Sequence, residues 1–523
     1  MNLEKSFLGI ELGSTRIKAV LIDEHHLPVA SGSYNWENRL ENGVWVYHLQ
    51  DALTGIRTCY SNLRRDVEAK FGQKLCTLAG IGISGMMHGY LVFDKDGKQL
   101  APFRTWRNTM TAPAATELME LFQFNIPQRW SIAHLYQAIL NGEEHVKDIA
   151  TLTTLSGYIH KQLTGVSAMG VCEASGMFPY DDDICDFDSR RLAQFDRLIQ
   201  PYGFPWTIRN ILPKVLRAGE EAGCLTEAGA ALLDETGALQ PGIPFCPPEG
   251  DAGTGMVATG AVMPRTGSIS AGTSAFSLQV LERPLKRYYP EIDVVATPAG
   301  KTVAMAHTNT CTSEIDAWVG LIADAAKVMG WEVDMSKLYT SLFTKALEGD
   351  ADCSGIISFN YFAGEPLTAT EHGRPMDVRL PDSRMNIANF MRSQLYGAIA
   401  TLKIGMDMLA REEGVESDTL LGHGGYFKTA GVGQQFLADA LNVPISTMET
   451  AGEGGPWGMA VLAAYMGQKA PKEGLEDYLS KHVFATAKSI TAAPDPDGVA
   501  GFQKYMHRYE ACLAAEKAAQ ALQ

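Results

Sequence analysis

The feature that most constrains this chain is a phrase that occurs twice. Phe7 to Asp23, FLGIELGSTRIKAVLID, reads as an apolar strand, a tight Gly13-Ser14-Thr15 turn and a second β-branched strand, which together predict a β-hairpin with glycine at its bend. Gly267 to Leu281, GSISAGTSAFSLQVL, repeats the pattern around Gly272-Thr273-Ser274. The step from Gly13 to Gly272 is 259 residues, about half of a chain of 523. Solenoid periods run only to about 50 residues, so a repeat this long predicts a duplicated domain. The chain divides near residue 258, into halves 1–258 and 259–523, each long enough to bury its own core.

Between the hairpins the apolar spacing predicts helices at Ala112 to Phe122 and Ile132 to Ile139, with a turn-rich segment from Pro179 to Asp188. After the second hairpin it predicts helices at Ser313 to Met329, Ile387 to Glu413 and Val432 to Leu441, and a last helix from Phe502 to the end. Strands alternating with helices in both halves give an α/β class with mixed sheets.

A formal charge of −16 provides no positive field for nucleic acid or an anionic membrane surface, and neither is expected as a partner. A polyanionic ligand would have to be held by backbone N–H groups, a few local cations and a metal. The nine cysteines are scattered and form no CxxC pair, which fits a reducing compartment better than a disulfide framework or a zinc site. No stretch approaches the ~18 apolar residues of a membrane span. A soluble, cytoplasmic protein without a targeting segment is expected.

Four segments carry chemistry. In Glu11-Leu12-Gly13-Ser14-Thr15-Arg16 a glycine turn with hydroxyls can present N–H groups to phosphate oxygens while a carboxylate reaches a metal. One such turn is ordinary, whereas two facing tips make a phosphate clamp. Asp251, in the glycine-rich Glu249 to Gly255, either caps a helix beginning at Ala252 or accepts a proton from an attacking hydroxyl. His88, in Gly82 to Gly89, is either a satisfied structural histidine or part of a polyol site with Trp106 and Asn108 of the phrase Thr105-Trp106-Arg107-Asn108. Leu420 to Tyr426 holds Gly424 and Gly425, a generic glycine loop or one that lets a flat ring approach the backbone.

In this order and spacing the segments resemble the FGGY carbohydrate kinases, of the superfamily that contains actin, hexokinase and the heat-shock ATPases. The likeness spans nearly the whole chain. It takes in ELGST, SGMMHG, TWRN, LTG at Leu163 to Gly165, EASG at Glu173 to Gly176, LPKVLRAGEEAGCLT from Leu212, GDAGTG, SAGTSAF, FAGEP at Phe362 to Pro366, GHGG with QQFLADAL, and GEGGPWGMAVLAA from Gly452.

The resemblance implies two actin-like, ribonuclease H-like domains with mixed sheets flanked by helices. The active site would lie in the interdomain cleft, where ATP and Mg²⁺ serve to phosphorylate a sugar or polyol. It makes Asp251 the catalytic base, which also touches substrate. Gly13, Ser14, Thr15 and Arg16 become the first phosphate loop, Gly272 and Thr273 the loop near the γ-phosphate, Gly424 and Gly425 the adenosine side, and Glu11 the metal ligand. Met87, His88 and Gly89 match the sugar-binding phrase of xylulose kinases, with Trp106 and Asn108 beside it.

This sequence departs from the family's pattern in Glu11 for Asp, Met86 for Gln, and Trp106-Arg107-Asn108-Thr109-Met110 for Trp-x-Asp-x-Arg. A ketopentose such as D-xylulose ranks first as substrate, with ribulose, a deoxy-ketose or a simple polyol behind. The alternative is a non-catalytic nucleotide-binding member of the same fold. The assembly is left open, with a homodimer among the options.

Overall fold

The computed structural model describes residues 2–448, 454–485, 487 and 489–522. The chain forms two units. The first comprises Met1–Met263, Arg287–Val303 and Gly452–Ala487, and the second Pro264–Lys286, Ala304–Ala451 and Lys488–Gln523.

In the first unit the strands β1 (Phe7–Leu12), β2 (Arg16–Ile22), β3 (Pro28–Asn35), β4 (Gly80–Gly85) and β5 (Glu249–Gly250) form one sheet in the order β5-β4-β1-β2-β3. β1, β2 and β3 run antiparallel in sequence, while β1, β4 and β5 are parallel to one another. Parallel strands need cover on both faces, which is why β1 and β4 read as almost unbroken apolar or glycine runs.

The helices Leu49–Phe71 and Gly454–Gln468 supply much of the cover in this unit. Leu49–Phe71 packs on β2 and β3 through Ala52, Ile56, Cys59, Tyr60, Leu63 and Val67, a three-and-four spacing that puts them on one face. Full burial of Ile56 or Leu63 contributes about 1.5–3 kcal/mol each. Gly454–Gln468 packs on β1 and β4 so closely that a methyl on Gly9 would sit 2.0 Å from the Pro456 carbonyl oxygen. The start of the GEGGPWG phrase, Gly452 and Glu453, lies outside the described residues.

The second unit has strands β6 (Thr266–Ala271), β7 (Ala275–Val280), all but the first two residues of β8 (Thr302–Thr308), β9 (Thr419–His423), β10 (Ile445–Met448) and β11 (Ser489–Ala492), ordered β8-β7-β6-β9-β10-β11. β6 is antiparallel to β7 and parallel to β9, and β9 is parallel to β10. The series β3-β2-β1-β4-β5 thus has its counterpart in β8-β7-β6-β9-β10, with Gly13 and Gly272 at the same place in each. The repeat legible in the sequence is a repeat of topology.

The helices Ala112–Phe122 and Val432–Leu441 have the bounds expected from the sequence, Ser131–Leu140 runs one residue further at each end, and Ser313–Val328 stops one residue short. Ile387–Met408 gives way to a single π turn at Leu409–Glu413. The last helix starts at Pro496 rather than Phe502, because proline's fixed φ and missing N–H suit a first turn. Pro179 to Asp188 forms a small hairpin, Tyr180–Asp181 against Asp186–Phe187. Among the described residues no helix is long and apolar enough to cross a membrane.

Candidate active site

Three segments singled out in the sequence emerge side by side in the first unit. Leu12 is in register with Gly85, and Gly85 with Gly250. The Gly13-Ser14-Thr15 tip, the Met86 to Gly89 phrase and Asp251 therefore leave the carboxyl ends of neighbouring parallel or hairpin strands, where open α/β sheets bind ligands.

The first tip is closed by the Gly13 N–H donating to the Arg16 carbonyl at 3.1 Å. It is held from outside by two rings. Trp36 Nε1 donates to the Gly13 carbonyl at 2.7 Å, the Tyr47 hydroxyl to the Ser14 carbonyl at 2.5 Å, and the rings stack at 4.3 Å. Arg16 Nε donates to Asn35 Oδ1 at 3.2 Å. Thr15 and Arg16 are exposed, and the tip's carbonyls are committed to the protein.

Asp251 opens the helix Asp251–Thr259, with Gly250 as its cap residue. Its Oδ1 accepts from the Ala252 N–H at 3.1 Å and, more weakly, from the Met87 N–H at 3.4 Å. Solvent reaches Asp251. The protein crowded about its carboxyl nevertheless strips away enough water to push its pKa up to about 6, against the pull of those N–H groups. Glu11 is pushed up to about 7, by desolvation first and then by the negative charge of Asp251, with Lys18 pulling it down.

Two hard carboxylates that repel each other are a donor set a divalent cation satisfies. Mg²⁺ commonly takes one or two carboxylates and fills its octahedron with substrate phosphate and water. Gly455 keeps the space clear, since a methyl there would lie 1.5 Å from Glu11 Oε2. Glu11, one methylene longer than Asp, fits the group.

His88 is buried, in the left-handed region at φ 72°, and its ring stacks on Trp130 at 6.1 Å. Its Nδ1 faces the Gly176 carbonyl at 2.9 Å, so Nδ1 carries the proton and Nε2 is left as an acceptor. Burial, then the charge of Arg129, lowers its pKa to about 3, and the ring is neutral. Gly89, at φ 92°, leaves no room for a side chain: a methyl would meet the Arg104 carbonyl oxygen at 2.6 Å.

Trp106 and Asn108 separate. Trp106 is exposed, whereas Asn108 is buried and spent on Trp45 and Thr105. Asn108 Nδ2 donates to the Trp45 and Thr105 carbonyls at 2.8 and 3.0 Å, and Oδ1 accepts from the Trp45 N–H at 2.8 Å. Both amide hydrogens are committed.

In the second unit Ser270 of β6 is in register with His423 of β9, so the Gly272-Thr273 tip and the Gly424-Gly425 loop lie next to each other. A methyl on Gly424, at φ 106°, would meet the Ala271 carbonyl oxygen at 2.4 Å, while one on Gly272 or Gly425 would meet nothing. The loops touch at Gly424 and stay open on either side, which leaves room for a ligand to approach. Cys311 and Thr312 fasten the tip from behind, their N–H groups donating to the Thr273 and Gly272 carbonyls at 2.8 and 3.0 Å.

Residues 6–258 match the N-terminal domain and residues 267–467 the C-terminal domain of the FGGY family of carbohydrate kinases. The chain belongs to this family. It is an ATP-dependent sugar kinase. The xylulose kinase of Haemophilus influenzae is 22% identical over 96% of this chain and 98% of its own length. The L-fuculokinase of Escherichia coli is 22% identical over 86% of this chain and 90% of its own. Ligand-bound xylulose kinase from Lactobacillus acidophilus superposes with a TM-score of 0.77 at 17% identity, over 99% of both chains. Glycerol kinase from Plasmodium falciparum with ADP gives 0.77 at 16%, over 98% of both. These likenesses establish the two-domain, actin-like α/β fold expected from the sequence.

Two carboxyl groups of this FGGY kinase were not assigned a role from the sequence. Glu249 Oε2 accepts from the Glu173 N–H at 3.0 Å, and burial pushes its pKa up to about 8. Glu173 is fully buried and held well above the usual carboxylate range, by burial first and with Asp251 and Glu249 adding to it. The two interlock through glycines. A methyl on Gly170 would strike the Glu249 carboxyl at 2.3 Å, and one on Gly250 would strike Glu173 Oε2 at 2.4 Å. The signal was present in EASG and PPEGD, but an isolated glutamate is by default a solvated one.

Proposed function

We propose that this kinase transfers the γ-phosphoryl group of ATP to a hydroxyl of a ketopentose such as xylulose or a related sugar or polyol, with Asp251 as general base. The observation that carries the reading is the position of Asp251. It stands solvent-accessible at a strand-to-helix junction beside Met87-His88-Gly89, oriented by two N–H groups, with a pKa of about 6 that lets it hold a proton transiently near neutral pH.

In this reading Asp251 takes the proton of the sugar hydroxyl as that oxygen bonds to the γ-phosphorus and the bond to the ADP oxygen breaks. His88 Nε2 accepts from a second hydroxyl, and exposed Trp106 offers an apolar face. Residues 1–258 carry the sugar site, the first phosphate loop and the base. Residues 259–523 carry the nucleotide, with the Gly272-Thr273 tip on its phosphates and Gly424-Gly425 against the adenosine. Glu11 would hold Mg²⁺, which supplies charge neutralisation on the phosphates when bound. The xylulose kinase relatives favour a ketopentose.

ADP release measured with and without a panel of ketoses and polyols tests this. Stimulation by one ketopentose above all others is expected. Hydrolysis indifferent to every sugar would overturn the reading.

A further inference from the structure

A buried glutamate in the second unit serves no step described so far. Glu365, in the FAGEP phrase, has no exposed surface. Its Oε2 accepts from the Asn309 N–H and its Oε1 from the Thr310 N–H, both at 2.9 Å. Asn309 Nδ2 donates to the Gly364 carbonyl at 2.5 Å. Asn360, five residues before Glu365, holds the same segment, Nδ2 donating to the Thr310 and Cys311 carbonyls at 3.2 and 3.0 Å.

The segment so gripped is the one that fastens the second glycine tip. The Cys311 N–H donates to the Thr273 carbonyl, and the Thr312 N–H and hydroxyl both donate to the Gly272 carbonyl. Residues 309–312 thus hang from Glu365 and Asn360 on one side and carry Gly272 and Thr273 on the other. Burying a carboxylate is costly unless its oxygens are well bonded. Here both oxygens accept from successive backbone N–H groups, an arrangement that fixes the path of the strap at two points. Glu365 is itself locked in place. Its N–H donates to Thr370 Oγ1 at 2.9 Å, and its carbonyl accepts from the Thr370 N–H at 3.2 Å.

We propose that Glu365 is a positioning residue for nucleotide phosphates, acting through the 309–312 strap on the Gly272-Thr273 tip. The inference rests on the reading that this tip holds phosphate. It separates Glu365 from residues that merely stabilise the unit, because the geometry ends at the carbonyls of the tip and not in the core.

The test uses the full-length enzyme. Glu365→Gln keeps the side chain's shape but turns an NH₂ toward one of the two N–H groups, leaving that donor unpaired at a cost of about one order of magnitude in the dependent equilibrium. ADP affinity by calorimetry and the KM for ATP should both weaken about tenfold, with the sugar KM within about twofold of wild type. Glu365→Gln with unchanged ADP affinity, or with sugar and nucleotide KM weakened equally, overturns the inference.

Gly272→Val separates the two layers. If it too leaves ADP affinity unchanged, the phosphate reading of the tip has failed. If it abolishes ADP binding while Glu365→Gln does not weaken it, only the role of Glu365 has failed. Should Glu365→Gln not fold, Asn360→Ala strips two bonds from the same strap and must weaken ADP binding, and normal ADP affinity in that variant overturns the inference as well.

Discussion

The indole N–H of Trp36 donates to the carbonyl of Gly13 at 2.7 Å, twenty-three residues along the chain. This bond aims the first glycine tip, because a carbonyl tied to Trp36 fixes the peptide plane that carries the next N–H. Trp36→Phe keeps the ring on Tyr47 and removes the donor. A lost hydrogen bond of about 0.5–1.5 kcal/mol should raise the KM for ATP by about threefold to tenfold. Steady-state kinetics at saturating sugar checks this, and an unchanged KM for ATP would show that the tip needs no such anchor.

The carboxyl of Asp251 is held above the ordinary range, at about 6, mainly by desolvation. A base must be ionised to act, so kcat/KM should rise with pH through about 6 and level off above about 7. The sign for stability is the reverse. A group that binds its proton more tightly folded than unfolded helps the fold at low pH and loses that contribution as pH rises through its folded pKa. Asp251→Asn should therefore cut kcat by about 10²–10⁴ while its melting temperature at pH 8 is no lower than wild type. A pH-rate profile flat from 5 to 8 would remove Asp251 from the role of base.

What the sequence carried was punctuation and period. Glycine followed by hydroxyls marked both hairpin tips, and the three-and-four spacing of Ala112 to Phe122 and Val432 to Leu441 marked helices whose bounds needed no tertiary context. What it could not carry was pairing over long separations. The helix Gly454–Gln468 has no strong apolar face of its own, being buried nearly all round, and its partners β1 and β4 are some four hundred residues upstream. The same limit applied to Asn108, whose amide is consumed by Trp45, and to Glu173 and Glu249, whose burial depends on segments far apart in the chain.

Gly176 faces the Met87-His88-Gly89 phrase, the proposed sugar site. A methyl on it would lie 2.7 Å from Met87 Cε and 2.8 Å from His88 Nδ1, where the ring donates to the Gly176 carbonyl. Gly176→Ala must therefore displace His88, and the sugar KM should rise by about tenfold or more with the KM for ATP nearly unchanged. His88→Asn should be better tolerated by the fold than His88→Val, because Asn accepts the left-handed backbone at φ 72° and a β-branched residue does not. Melting temperatures of the two variants decide the second point, and equal values would contradict it.

Gly455 bears on Glu11, a position where this kinase departs from its family's pattern. Gly455 is the second residue of the helix Gly454–Gln468, where an alanine is ordinarily accepted without penalty. At Gly455 the new methyl would fall 1.5 Å from Glu11 Oε2 and 3.0 Å from Thr254 Oγ1, so the Glu11 carboxylate has to move. If Glu11 holds Mg²⁺, Gly455→Ala should raise the half-saturating Mg²⁺ concentration by several-fold to about tenfold, since a carboxylate displaced by about an ångström no longer fits the tight octahedron of this ion. Gly320→Ala, in the helix Ser313–Val328 with open space around it, provides the propensity gain alone and should leave the Mg²⁺ response untouched. A Gly455→Ala enzyme with a normal Mg²⁺ titration would mean that the longer acid at position 11 does not reach the metal, and the cation would then be held by other oxygens.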